Sequence, residues 1–155
     1  MTAKTIFIDE DLPERTRAII EFLLRAGLEV IGADGSSVML LSPDGKTLAM
    51  KGMAAREPGL PSKLGITVRA GDRIAGKAVQ TGETIIIVGD VQKNPDFSTI
   101  KKYQEIKSGL TAPLKADGKT LGVFNVKRTA MDAPVGPTEA RIAGMLASIA
   151  AEILA

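Results

Sequence analysis

Gly109-Leu-Thr-Ala-Pro-Leu-Lys-Ala-Asp-Gly-Lys-Thr-Leu-Gly-Val-Phe-Asn-Val126 reads as a strand, a turn and a returning strand. With Ala116-Asp117-Gly118 as a three-residue connection, Lys115 lies opposite Lys119, Thr111 opposite Val123 and Gly109 opposite Asn125. Side chains alternate along a strand, so one face carries Gly109, Thr111, Pro113, Leu121, Val123 and Asn125. The other carries Leu110, Ala112, Leu114, Phe124 and Val126. The second face is uniformly apolar and suits packing beneath long helices. The first is smaller and more polar, as a cavity wall with a few orienting groups requires. Two roles are open to Thr111 and Asn125 at this point: contact with a ligand, or bonds to neighbouring backbone.

Upstream stands a second glycine-punctuated stretch, Gly71-Asp-Arg-Ile-Ala-Gly-Lys-Ala-Val-Gln-Thr-Gly82. Asp72 is placed to cap a helix that ends near Thr81-Gly82. Gly71 to Ala78 also matches the phosphate-binding P-loop at every position but the last, where a Ser or Thr hydroxyl should ligate magnesium and Ala78 cannot. A capped helix is therefore the better reading, and the amides near Ile74 and Ala75 keep a weaker capacity to receive an anion.

The remaining elements follow from the same signals. Asp11-Leu-Pro-Glu opens a helix, with Asp11 as the cap, that runs to about Ile31. Ser36–Leu41 and Thr47–Ala54 form a hairpin around Ser42-Pro-Asp-Gly45. Ile66–Val68 and Thr84–Val88 are short strands, and an irregular helical stretch runs from Asn94 to Ile106. Gly136-Pro137 starts a last helix that reaches the final residue without a stop signal, as a helix leading toward an effector would. Residues 1–10 stand ahead of these elements as an N-terminal extension, and residues 1–155 make one domain.

Composition narrows the chemistry. The chain of 155 residues contains neither Cys nor His, which removes thiolate nucleophiles, imidazole bases, disulfides and most zinc or haem ligation. No paired-carboxylate constellation is visible, so an enzyme is not expected. The net charge is only +2 and no basic run exceeds Lys101-Lys102, so a nucleic-acid partner is not expected either. Between residues 51 and 107, ten Lys/Arg face six Asp/Glu, against five and eight in the first fifty residues. That excess suits a mildly anionic ligand. No apolar run is long enough for a membrane span and no signal-peptide order opens the chain, so no membrane partner and a cytoplasmic location are expected.

The two glycine-punctuated stretches, in this order, resemble a GAF domain. The resemblance extends from about Arg15 to Ala155 and implies an α+β fold of three layers, α/β/α. A central six-stranded antiparallel sheet would carry the terminal helices on one face and the middle helices and loops around a pocket on the other. It implies a sensory or regulatory module for a small molecule. Members of that family bind cyclic nucleotides, bilins, haem, amino acids or other metabolites, and some only pair subunits. A bilin attached through a thiol, haem held by His or Cys, and the family's methionine sulfoxide reductase chemistry are excluded here by the missing residues. Cyclic-nucleotide members carry an Asn-Lys, Phe, Asp-Glu signature, but Arg128-Thr129 stands near the Asn-Lys position and no Phe follows before Glu139.

The expected ligand site joins Thr111, Val123 and Asn125 of the sheet with Ile74, Ile87, Phe97, Ile100 and Tyr103 of the middle segment. Phe97 and Tyr103 could stack on a planar ligand or form a small satellite core. A homodimer through the two terminal helices is expected. Glu21, Arg25 and Glu29 make one narrow polar stripe on the first helix, leaving surplus apolar surface that includes Leu24. Ile142, Met145, Ile149 and Ile153 line one side of the last helix. A ligand-free module that only dimerises is the alternative to the sensor.

Overall fold

The computed structural model describes residues 3–88, 108–128 and 135–155. Among the described residues, seven strands and three helices follow in the order β1 (Thr5–Ile8), α1 (Glu14–Glu29), β2 (Gly35–Leu41), β3 (Thr47–Ala55), β4 (Thr67–Arg69), α2 (Arg73–Thr81), β5 (Ile85–Val88), β6 (Ser108–Ala116), β7 (Lys119–Arg128) and α3 (Pro137–Leu154). The sheet is antiparallel in the order β1-β3-β2-β7-β6-β5. All six expected strands are present. The seventh, β1, arises within residues 1–10, so Thr5–Ile8 is part of the sheet and not an extension. These four residues pair with Gly52–Ala55, while β4 pairs with Thr47–Ala49, so β1 and β4 lie end to end along one edge of the nine-residue β3.

The apolar face of the β6–β7 hairpin packs as expected. Leu110, Ala112, Leu114, Phe124 and Val126 join Ile20, Leu23, Leu24 and Leu28 of α1 and Ala143, Ala147, Ala150 and Ala151 of α3 in one core. Large side chains from the sheet and α1 meet small ones from α3, which lets the three elements approach closely. Within the expected polar stripe, Glu21 and Arg25 form an ion pair at 3.0 Å on the outer side of α1. Leu24 does not stand with the surplus surface: it is completely buried. On the terminal helices, the large apolar groups left outside are Phe22 on α1, Val30 just past its end, and Met145, Ile149 and Ile153 on α3.

Neither expected cap forms. Pro13 occupies the N-cap position of α1, and Asp11 uses its own N–H to reach the Asp9 carboxylate at 3.0 Å. Asp72 does stand at the N-cap of α2, but its carboxylate accepts from Arg69 Nε at 3.4 Å and makes no cap bond. The C-terminal end of α1, at Glu29 and not Ile31, is held by an arginine just past β3 and by one at the end of β7. Arg56 Nη2 donates to the Leu28 carbonyl at 2.6 Å, and the buried Arg128 donates to the carbonyls of Ile31 and Gly32 at 3.1 and 3.3 Å. Both cations face the negative end of the helix dipole, where their charge is favourable.

Candidate functional site

The hairpin register differs from the expected one. Ala116 pairs with Lys119 around the two-residue turn Asp117-Gly118, and a bulge follows between Leu114 and Lys115. Both turn residues have positive φ, which a two-residue hairpin turn of the favoured hand requires. Consequently Thr111 lies opposite Asn125, Pro113 opposite Val123 and Gly109 opposite Lys127. The shift is by two residues, so the faces keep their identity. Leu121 is the exception: at the bulge it turns to the helix-side core.

Three successive cross-strand rows therefore make up the face opposite α1 and α3. The first runs Met39–Val123–Pro113 and is apolar. The second runs Met53–Ser37–Asn125–Thr111–Ile85 and is polar at its centre. The third runs Ala55–Gly35–Lys127–Gly109–Ile87 and centres on a lysine flanked by two glycines. Rows on one face are about 6.8 Å apart and neighbouring strands about 4.8 Å apart.

Helix α2 closes the first row. Ala78 is fully buried in a small core with Met39, Leu48, Val68 and Val123, supported by Ala75 and Val79. Val123 is thus a packing residue beneath α2. Gly76 permits this seating: a Cβ there would lie 2.5 Å from the Arg69 carbonyl oxygen and 2.9 Å from the Gly71 nitrogen. The same loop settles the P-loop resemblance. Gly71 donates its N–H to the Gly76 carbonyl at 2.9 Å and Asp72 donates to the Arg69 carbonyl at 3.0 Å, so these amides bond inward and cannot cradle a phosphate.

In the second row, Thr111 Oγ1 donates to Asn125 Oδ1 at 2.7 Å, and Asn125 Nδ2 donates to Ser37 Oγ at 3.1 Å. Thr111 and Asn125 therefore bond to each other and to Ser37, not to neighbouring backbone. Thr111 is buried, whereas Ser37 and Asn125 remain partly exposed. In the third row the stem of Lys127 crosses β2 at Gly35, where a Cβ would come within 2.8 Å of its Cε. Burial pushes the Lys127 ammonium below the usual lysine value, and Lys63 adds to this, while Asp34 and Glu57 oppose it.

Of the expected site residues, the structure brings Thr111, Asn125 and the buried Ile87 to this face, and Val123 to the adjoining core. Ile74 lies in the first turn of α2. Phe97, Ile100 and Tyr103 lie outside the described residues. Ser37 and Lys127 stand on the same face and were not anticipated. Two-residue alternation onward from Asn125 leads to Lys127, and Ser37 becomes visible only once β2 is known to lie beside β7. Among the described residues, no group of three or more acidic side chains could hold a metal ion.

The GAF domain family model matches residues 14–155. Among solved structures, the GAF domain of a phosphoenolpyruvate-protein phosphotransferase from Coxiella burnetii superposes with a TM-score of 0.73 at 18% identity, covering 93% of this chain and 84% of that one. The second GAF domain of DevS from Mycobacterium smegmatis gives 0.68 at 15% identity, over 88% and 91%. The free methionine-R-sulfoxide reductase from Neisseria meningitidis, solved with its substrate, gives 0.64 at 22% identity, over 92% and 79%. No match was found among curated proteins.

Proposed function

The chain belongs to the GAF domain family, and from that premise we propose that it is a regulatory module that binds a small metabolite on the α2 side of the sheet. The observation that carries this reading is the graded face, on which an apolar row closed by α2 gives way to a hydrogen-bonded polar row and then to a desolvated lysine. Apolar rows need no such centre. A few polar groups on an apolar floor are what fixes the orientation of a small ligand.

An enzymatic role fits less well. The similar reductase acts on a sulfoxide, but this chain holds no cysteine, so a thiol-based reduction has no nucleophile. We place the module in the cytoplasm, with α3 leading toward an effector; no described helix is long and apolar enough to cross a membrane.

A metabolite library read by thermal unfolding tests the sensor. A true ligand at a hundredfold excess over its dissociation constant stabilises the fold by about 2.7 kcal/mol through mass action. A library in which nothing raises the melting temperature would leave the dimerising scaffold as the better reading.

Pairing of two copies through α1 and α3 is part of the proposal. It is supported by Met145, Ile149 and Ile153, spaced four apart on α3 and 58%, 56% and 36% exposed, and by Phe22 on α1, 51% exposed. Sedimentation of the wild type and of Ile149→Glu is the appropriate measurement, because Ile149 can change without disturbing the core. Leu24→Glu would place a charge in that core and report unfolding instead. A wild type that sediments as a monomer at tens of micromolar would remove the dimer.

A further inference from the structure

Four exposed residues of α3, Arg141, Met145, Ser148 and Glu152, are spaced four, three and four apart. At about 100° per residue they stay within about 60° of one another and form one straight stripe along the helix. The stripe has two unlike borders. With Met145 as its ridge, Arg141, Ser148 and Glu152 fall within about 60° on one side, while Ile149 and Ile153 stand about 40° and 80° away on the other. The charged border begins with a cation and carries an anion eleven residues later, about 16 Å along the axis. Neither Arg141 nor Glu152 forms an ion pair with a described residue.

Symmetry decides how two such surfaces fit together. In a parallel pair the twofold axis runs along the helices, so the charged border of one copy lies beside the isoleucine border of the other. Guanidinium and carboxylate are then set against apolar side chains, and Arg141 stands level with the partner's Arg141. In an antiparallel pair the twofold is perpendicular to the helices, and each border meets its own kind. If the axis passes between Leu146 and Ala147, Arg141 comes level with the partner's Glu152 at one end of the contact, and Glu152 with the partner's Arg141 at the other. The order of charges along α3 is complementary to itself only when reversed.

We propose that two copies of the chain pair through α3 in antiparallel orientation, with Met145 and Ile149 of both copies packed together and Arg141 bridged to the partner's Glu152 at each end. This rests on the pairing through the terminal helices stated above and adds its orientation. The two Leu154 ends then point in opposite directions, about 22 Å apart along the axis. A signal carried by α3 leaves the pair at two separate points.

Charge reversal in the intact chain tests the orientation, because both positions are exposed. In sedimentation equilibrium at low salt, Arg141→Glu and Glu152→Arg should each raise the dimer dissociation constant about tenfold, since each sets like charges together at both ends. The double variant should return to the wild-type value, and an equimolar mixture of the two single variants should form mixed dimers more tightly than either forms its own. A parallel pair predicts none of this, because each position then faces itself and stays like-charged whatever its sign. The chain has no cysteine, so Arg141→Cys mixed with Glu152→Cys gives a second reading: mild oxidation should link the two variants to each other and not Arg141→Cys to itself. A dimer unmoved by either reversal, a double variant that stays weak, or a disulfide formed only between two copies of Arg141→Cys overturns the antiparallel arrangement. If Ile149→Glu still dissociates that dimer, the pairing through the terminal helices survives. A wild type that is monomeric at tens of micromolar, or a dimer that Ile149→Glu leaves intact, removes both.

Discussion

The two faces of the sheet are built from alternate residues of the same strands and do opposite work. Among the described residues, nineteen buried side chains form one apolar core against α1 and α3, in which polar atoms are few. Against α2, five of the described residues form a further buried core, and the rows beside it carry a hydroxyl, an amide, a second hydroxyl and an ammonium. Phe124 and Asn125 are neighbours in sequence, yet one is sealed in the larger core and the other is the centre of the polar row. A strand can therefore serve stability and recognition at once, because its period of two separates them by a few ångströms.

If the helix side is the stabilising one, the largest losses must come from it. Phe124→Ala should cost about 3–5 kcal/mol in urea denaturation, with cavity formation adding to lost burial. Gly76→Ala, on the opposite side, should cost about 1–3 kcal/mol, because its Cβ meets backbone that cannot rotate away. A Gly76→Ala effect equal to that of Phe124→Ala would break the proposed division of labour.

Lys127 sharpens the comparison through pH. Its folded-state value lies below its unfolded one, so in the interval between them the unfolded chain binds more protons and stability rises with pH. The wild type should gain stability as pH rises through the alkaline range up to the usual lysine value of 10.5, and Lys127→Met should flatten that rise. Parallel melting curves for the two proteins across that range would contradict it. The smallest effect belongs to the outer surface of α1: Glu21→Gln removes the exposed pair with Arg25 and should change stability by about 0.3–0.5 kcal/mol, vanishing in high salt.

Much of this architecture is legible before any coordinates. β-branched and apolar runs between Gly, Pro and Asp turns locate six of the seven strands, and the alternation along residues 109–126 assigns the two faces. The register was missed for a local reason. Asp117-Gly118 is itself the turn, and the extra residue sits in a bulge at Leu121 that alternation does not reveal. β1 escaped because four residues, Thr5-Ile-Phe-Ile8, are too short to show a period and gain their stability only from the edge of β3. Asn125 and Thr111 could be chosen from polarity on a strand. Ser37 could not, since it joins them only through pairing across 88 residues of chain. The caps failed for two reasons: α1 begins later than expected, with Pro13 and not Asp11 at its N-cap, and the Asp72 carboxylate accepts from Arg69.

The two guanidiniums at the end of α1 have a mechanical consequence. Arg56 and Arg128 pin the carbonyls of Leu28, Ile31 and Gly32 to β3 and β7, whereas the other end of the helix has no side-chain cap. One end is held by side chains and the other through the chain itself, since β1, five residues ahead of α1, pairs with β3 and Asp9 bonds to Lys51. With a rise of about 1.5 Å per residue, the sixteen residues of α1 form a rod about 24 Å long laid across the sheet. Arg128 is the next residue after Lys127, so the charged row of the sheet and the fastening of α1 are neighbours on one strand end.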